Sequence, residues 1–170
     1  NHKLKKYMSN KLASKEWSPH VRPKKSSYDF LITIPCYDEI DYIFNTLDSI
    51  DKQDRELLDR TLVSIIINNS NRENSSIIAN NKKTYNQLLE LSHDFELVLI
   101  DAFSKGKAIE EKNAGVGMAR KISVDSCLNY LQSDSLICFI DADAMLSKNY
   151  LSIIYNSYKK NNWLAATVNF

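Results

Sequence analysis

Glycine is scarce in this chain: of 170 residues only three are glycine, and all fall between Gly106 and Gly117. That scarcity removes two nucleotide-binding signatures. Ser104-Lys105-Gly106-Lys107-Ala108 has neither the earlier glycine nor the Ser or Thr after lysine that a phosphate loop requires. Gly115-Val116-Gly117 fails as a dinucleotide fingerprint, because Arg120 fills the third glycine position and the first strand lies far upstream. Cysteine is equally sparse. Cys36, Cys127 and Cys138 have no paired spacing, so they read as buried free thiols of a reducing compartment rather than a disulfide or zinc framework. The three histidines, His2, His20 and His93, are too dispersed to mark a zinc site. No apolar run approaches the roughly 18 residues of a membrane span, and no apolar signal region opens the chain. The expectation is a soluble, cytoplasmic protein without a transmembrane segment.

Acid is nearly absent from the first 25 residues, which hold eight Lys or Arg against Glu16. The remainder carries fourteen bases and twenty acids, a net of −6 hidden beneath the overall charge of +1. Residues 1–25 therefore form a basic arm, compositionally separate from a domain over 26–170. Lys3, Lys5, Lys6, Lys11, Lys15, Lys24 and Lys25 fit a solvated arm, or one that contacts a membrane surface; no nucleic-acid partner is expected. With 44% hydrophobic and 25% charged residues, the rest is an ordinary globular composition sized for one domain.

Periodicity supplies the architecture. Asp29–Cys36, Leu62–Ile67, Glu96–Ile100 and Leu136–Ile140 read as strands, with a fifth around Leu164–Val168. Between them, Ile40, Ile43, Phe44, Leu47 and Ile50 recur at helical spacing, and Ser76–Ser92 reads as a helix burying Leu88 and Leu91. A third helix places Val124, Cys127, Leu128 and Leu131 on one face; a fourth, capped near Ser147, turns Leu151, Ile154, Tyr155 and Tyr158 inward. Five strands alternating with four helices predict an α/β, Rossmann-like, mostly parallel sheet with helices on both faces.

Such sheets bind ligands at the carboxyl ends of their strands. Those ends carry Pro35-Cys36-Tyr37-Asp38-Glu39, Asn68-Asn69-Ser70, Asp101 and Asp141-Ala142-Asp143. In the last, two carboxylates one residue apart point the same way, about 6.5 Å from each other along an extended segment. Hard cations such as Mg2+ or Mn2+ prefer oxygen ligands and complete their shells with water and substrate phosphate, so two carboxylates suffice.

In order and spacing, Ile34–Glu39, Ile67–Ser70, Asn113–Lys121 and Phe139–Asp143 resemble the nucleotide-sugar half of family 2 glycosyltransferases of the GT-A fold, the last segment standing for the DxD motif. The resemblance covers roughly residues 29 to 169. It implies transfer of a sugar from a UDP- or GDP-sugar, usually with inversion, to an acceptor that it does not identify. It also implies that Pro35, Tyr37 and Glu39 line the nucleoside pocket, that Asp141 approaches the ribose or the metal, and that Asp143 coordinates Mn2+ or Mg2+. Arg120, on the first turns of a helix, becomes a phosphate contact.

Two departures qualify this. Asn68 and Asn69 stand where many members carry aspartates, leaving the base unassigned, although an amide both donates and accepts. The family's acceptor half and its general base follow the DxD region, which implies a chain truncated at its C-terminus, with the base beyond Phe170. A non-catalytic nucleotide-binding or scaffold module of the same fold is an alternative. So is a nucleotidyltransferase, although Pro35–Glu39 lacks the glycine loop that would hold a triphosphate.

Overall fold

The computed structural model describes residues 2–13 and 17–168, with backbone alone for residues 2–5. Lys15 and Glu16 of the basic arm thus lie outside the described residues, as do Asn1, Asn169 and Phe170. Among the described residues there are four strands, β1 (Tyr28–Cys36), β2 (Thr61–Asn68), β3 (Glu96–Ala102) and β4 (Leu131–Phe139). They form one all-parallel sheet in the order β3-β2-β1-β4. The helices are α1 (His2–Asn10), α2 (Ile43–Asp51), α3 (Arg55–Asp59), α4 (Ser75–Glu90), α5 (Val116–Cys127) and α6 (Tyr150–Asn161).

Strand alternation assigns the two faces. Phe30, Ile32 and Ile34 of β1, with Val63, Ile65 and Ile67 of β2, pack under Ile43, Leu47, Ile50, Leu58, Leu88 and Leu151. The intervening Leu31, Leu62 and Ile66 meet Cys127, Ala119 and Ile122 of α5 on the other side. The steps from β1 to β2 and on to β3 run one way across the sheet, so right-handed connections put α2, α3 and α4 on one face. The step from β3 to β4 returns past β1 to the far edge, which sends α5 to the opposite face. The direction of travel therefore reverses between β1 and β4, and a topological switch point opens at their C-terminal ends.

Several described residues of the N-terminal arm contact the body of the fold, while Lys6, Lys11, Lys24 and Lys25 are exposed. Asp125, buried on α5, accepts hydrogen bonds from the Tyr7 hydroxyl and the Ala13 amide, both at 2.8 Å, and pairs with Lys121. Ala13 and Trp17 pack on the α5-side core, and the His20 amide donates to the Leu99 carbonyl at 2.7 Å. Charge counting registered the lysines of this segment and overlooked the apolar and hydrogen-bonding groups between them.

Four further expectations change. Leu164–Val168 forms no strand: Asn162 turns the chain with a φ of 48°, Trp163 packs edge-on to Tyr158, and the segment lies across a gap of about 730 Å3 from β4. A β-branched and apolar composition makes a strand only when its amides and carbonyls find a ladder. Leu131 begins β4 rather than ending the third expected helix, because the polar stretch Gln132–Ser135 that joins it to Leu136 is itself extended. Leu91 lies beyond the end of α4 and is exposed, and the Ser147 side chain does not cap α6; its carbonyl instead accepts from the Gln53 side chain at 2.8 Å.

Candidate functional site

The carboxyl ends of β1, β2 and β4 and the start of α5 enclose a cavity of about 500 Å3. Seven of the eight residues singled out from the sequence line it: Pro35, Tyr37, Glu39, Asn68, Asn69, Asp141 and Asp143. Arg120 does not.

At the end of β1 the backbone turns through Asp38, whose φ of 59° is left-handed, a conformation aspartate tolerates better than most side chains. The Asp38 amide donates to the Asn81 side chain at 3.0 Å, which fixes the turn. Beside it, Tyr37 lines the cavity and stays 43% exposed while its hydroxyl donates to Glu73 at 3.0 Å, so the ring is tethered by its tip. The Glu39 carboxyl is pushed upward by partial burial, then by Asp143, Asp38 and Asp141. Carboxylates thus accumulate in this cavity with little compensation, which is the field a cation relieves.

The two asparagines differ sharply. Asn69 is fully committed: its amide nitrogen donates to the carbonyls of Ser70 and Phe103, and its oxygen accepts from Asn81 at 2.9 Å. Asn68, only 5% exposed, has a side-chain oxygen with no hydrogen-bond partner. A buried acceptor without a partner costs roughly 1–3 kcal/mol, so this oxygen is an unspent acceptor on a cavity-lining residue. Asn81 was missed by sequence reasoning. Its sign was a polar residue on the stripe that α4 buries with Thr84 and Leu88.

At the end of β4, Ala142 is buried and its carbonyl accepts from the Thr46 hydroxyl of α2 at 2.7 Å, which turns Asp141 and Asp143 outward on either side. The Ala144 amide closes the turn on the Asp141 carbonyl at 3.1 Å. Asp141 also accepts from Arg120 Nη2 at 2.7 Å, and the Arg120 guanidinium carbon sits 5.7 Å from the centre of the Phe139 ring. Ala114, Gly115 and Val116 bring the N-terminus of α5, the helix that also carries Arg120, to the cavity wall, with Gly115 at a φ of 146° that favours glycine. Unpaired amides of a first helical turn favour anions.

Asp101 lies apart from the cavity. Burial would raise its carboxyl, but the Ser104 hydroxyl, the Ser104 and Phe103 amides and Lys107 outweigh it and hold the group below the usual carboxylate range. It ties down its own loop. The three thiols are buried and free, and burial pushes Cys36 up to about 12 and Cys127 and Cys138 up to about 11. They are neutral packing groups. Among the described residues no three His, Cys, Asp or Glu side chains converge as a metal cage, and no helix is long and apolar enough to cross a membrane.

No family model matches this chain, and no curated protein does. Among solved structures it is similar to S. aureus TarS 1-349 at a TM-score of 0.51 and 17% identity, over 79% of this chain and 33% of that one. The same protein in complex with UDP-GlcNAc aligns at a TM-score of 0.49 and 14% identity, over 79% and 32%. The chain thus spans about a third of the length of these structures. The likeness to TarS, a glycosyltransferase, establishes a shared α/β Rossmann-like fold.

Proposed function

We propose that this chain binds the nucleoside diphosphate sugar donor of a metal-dependent glycosyltransferase of the family 2, GT-A kind. One observation carries the reading: strand ends far apart in sequence converge at the switch point on a single cavity holding an aromatic side chain, an unpartnered amide, a helix N-terminus and the Asp141-Ala142-Asp143 turn. Each group suits one part of a nucleoside diphosphate. The Tyr37 ring offers a stacking face for the base, and the side chain of Asn68 offers hydrogen bonds to its edge. The amides at the start of α5 favour the diphosphate.

The residues present fit a divalent cation of the Mg2+ or Mn2+ type. Asp141 and Asp143 are outward-facing hard oxygen donors in a carboxylate-rich cavity, and ions of this type draw the rest of their shell from water and phosphate. When bound, such an ion neutralises charge on the departing nucleoside diphosphate. Tyr37 and Asn68 orient the nucleoside, Thr46 holds the aspartate turn, and the start of α5 steadies the phosphates. The same reading extends to transfer with inversion to an acceptor that it does not identify. A cytoplasmic location is part of the same reading.

The test is Asp143→Ala. This variant should retain the far-UV circular dichroism of the parent and lose about tenfold or more in manganese-dependent nucleotide affinity. Folded protein with undiminished manganese-dependent binding would remove Asp143 from the proposed role.

A further inference from the structure

The carboxylates Glu39, Glu73, Asp141 and Asp143 line the proposed nucleotide cavity, and among the described residues no basic side chain does. Among the described residues, the one salt bridge made to any of them is that of Arg120 with Asp141. Arg120 approaches from outside the cavity and is the better anchored partner. Its side chain is 33% exposed against 65% for Asp141, its guanidinium rests against Phe139, and its Nε is buried without a hydrogen-bond acceptor. The pair is a cation held by the protein on one of the two carboxylates meant for a divalent ion.

We propose that Arg120 is a positioning residue that occupies Asp141 when no nucleotide is present, so that the divalent ion binds weakly alone and binds together with the nucleoside diphosphate. This rests on the donor-site reading above and adds an order of assembly to it. Two consequences of the geometry support it. A metal ion approaching Asp141 must displace Arg120 Nη2 from Oδ1 or share the carboxylate with a positive charge, and either weakens its binding. A guanidinium released from Asp141, a cavity-lining residue, has unspent donors, including the unpartnered Nε, and a diphosphate offers paired oxygen acceptors that its planar fork can engage. The nucleotide thereby gives Arg120 a new partner as it brings phosphate oxygens to the metal. Coupling of this kind is reciprocal: nucleotide raises metal affinity by the factor by which metal raises nucleotide affinity.

Manganese binding to the chain without nucleotide, followed by electron paramagnetic resonance of free Mn2+, tests the inference in three variants checked for native circular dichroism. Arg120→Gln should bind Mn2+ about tenfold more tightly than the parent, because the competing charge is gone. Arg120→Lys, which restores that charge, should return toward parental affinity. Introducing Arg120→Gln into an Asp141→Asn background should change manganese affinity little, since the carboxylate they contest is absent. Adding uridine or guanosine diphosphate should then tighten manganese binding more in the parent than in Arg120→Gln. Equal or weaker manganese binding by Arg120→Gln in a chain that binds nucleotide with manganese would overturn this inference alone. Failure of every variant, with or without nucleotide, to bind manganese would overturn both it and the donor-site reading.

Discussion

Single side chains decide how this cavity is held open. Asn81 is fully buried, and its amide satisfies three groups at once: the Asp38 amide at the end of β1, the Asn68 carbonyl, and the side chain of Asn69 at the end of β2. It therefore couples two strand ends that both line the cavity. Asn81→Ala strands a backbone N–H in its left-handed turn and leaves Asn69 short of a donor, which should cost about 2 kcal/mol in urea unfolding. Asn80→Ala is the control: Asn80 is exposed and reaches only the Asp38 carboxylate, so its loss should stay within about 0.5 kcal/mol. Equal losses in the two variants would mean that burial at Asn81 contributes nothing. Pro35, Tyr37, Glu39, Asp141 and Asp143 were legible as cavity residues because each sits within a few positions of a strand end, where local pattern suffices. Asn81 and the true neighbour of Arg120 were not, because a helix face and a salt bridge between residues 120 and 141 are decided by packing.

The glycines matter at the scale of the element. Gly115 precedes α5 at a φ of 146°, a backbone region costly for side chains, and it delivers the first turn of the helix to the cavity. Gly117 lies inside α5, and a Cβ there meets nothing within 4 Å. Gly117→Ala should therefore stabilise the chain by about 0.5–1 kcal/mol through helix propensity. Gly115→Ala should destabilise it by about 1–3 kcal/mol and weaken nucleotide binding as the helix start shifts. Thermal unfolding of both distinguishes them, and the same sign of change in each would contradict the assignment. Elements with strong periodicity, such as β1 with its alternating Phe30, Ile32 and Ile34, were legible from sequence. Leu164–Val168 was not, since it stands off from the open edge of β4 across the intervening gap and forms no ladder with it. The extended run Gln132–Ser135 was missed for the opposite reason: its polar side chains belong to an edge strand with exposed positions there.

For the molecule as a whole, the order of the strands makes the site. Four parallel strands ordered β3-β2-β1-β4 force the chain to reverse direction between β1 and β4, and the reversal leaves a crevice lined by both Tyr37 and Asp141-Ala142-Asp143. The arm also meets α5 through Asp125, so the helix whose start lines the cavity is braced near its C-terminal end. The central claim is that this crevice takes a nucleoside diphosphate together with a divalent ion. Calorimetric titration with uridine and guanosine diphosphates, each with manganese and again with chelator, tests it most directly. The account predicts saturable binding of one nucleotide with manganese, lost in chelator; a folded chain that binds neither, or binds equally well without metal, would contradict it.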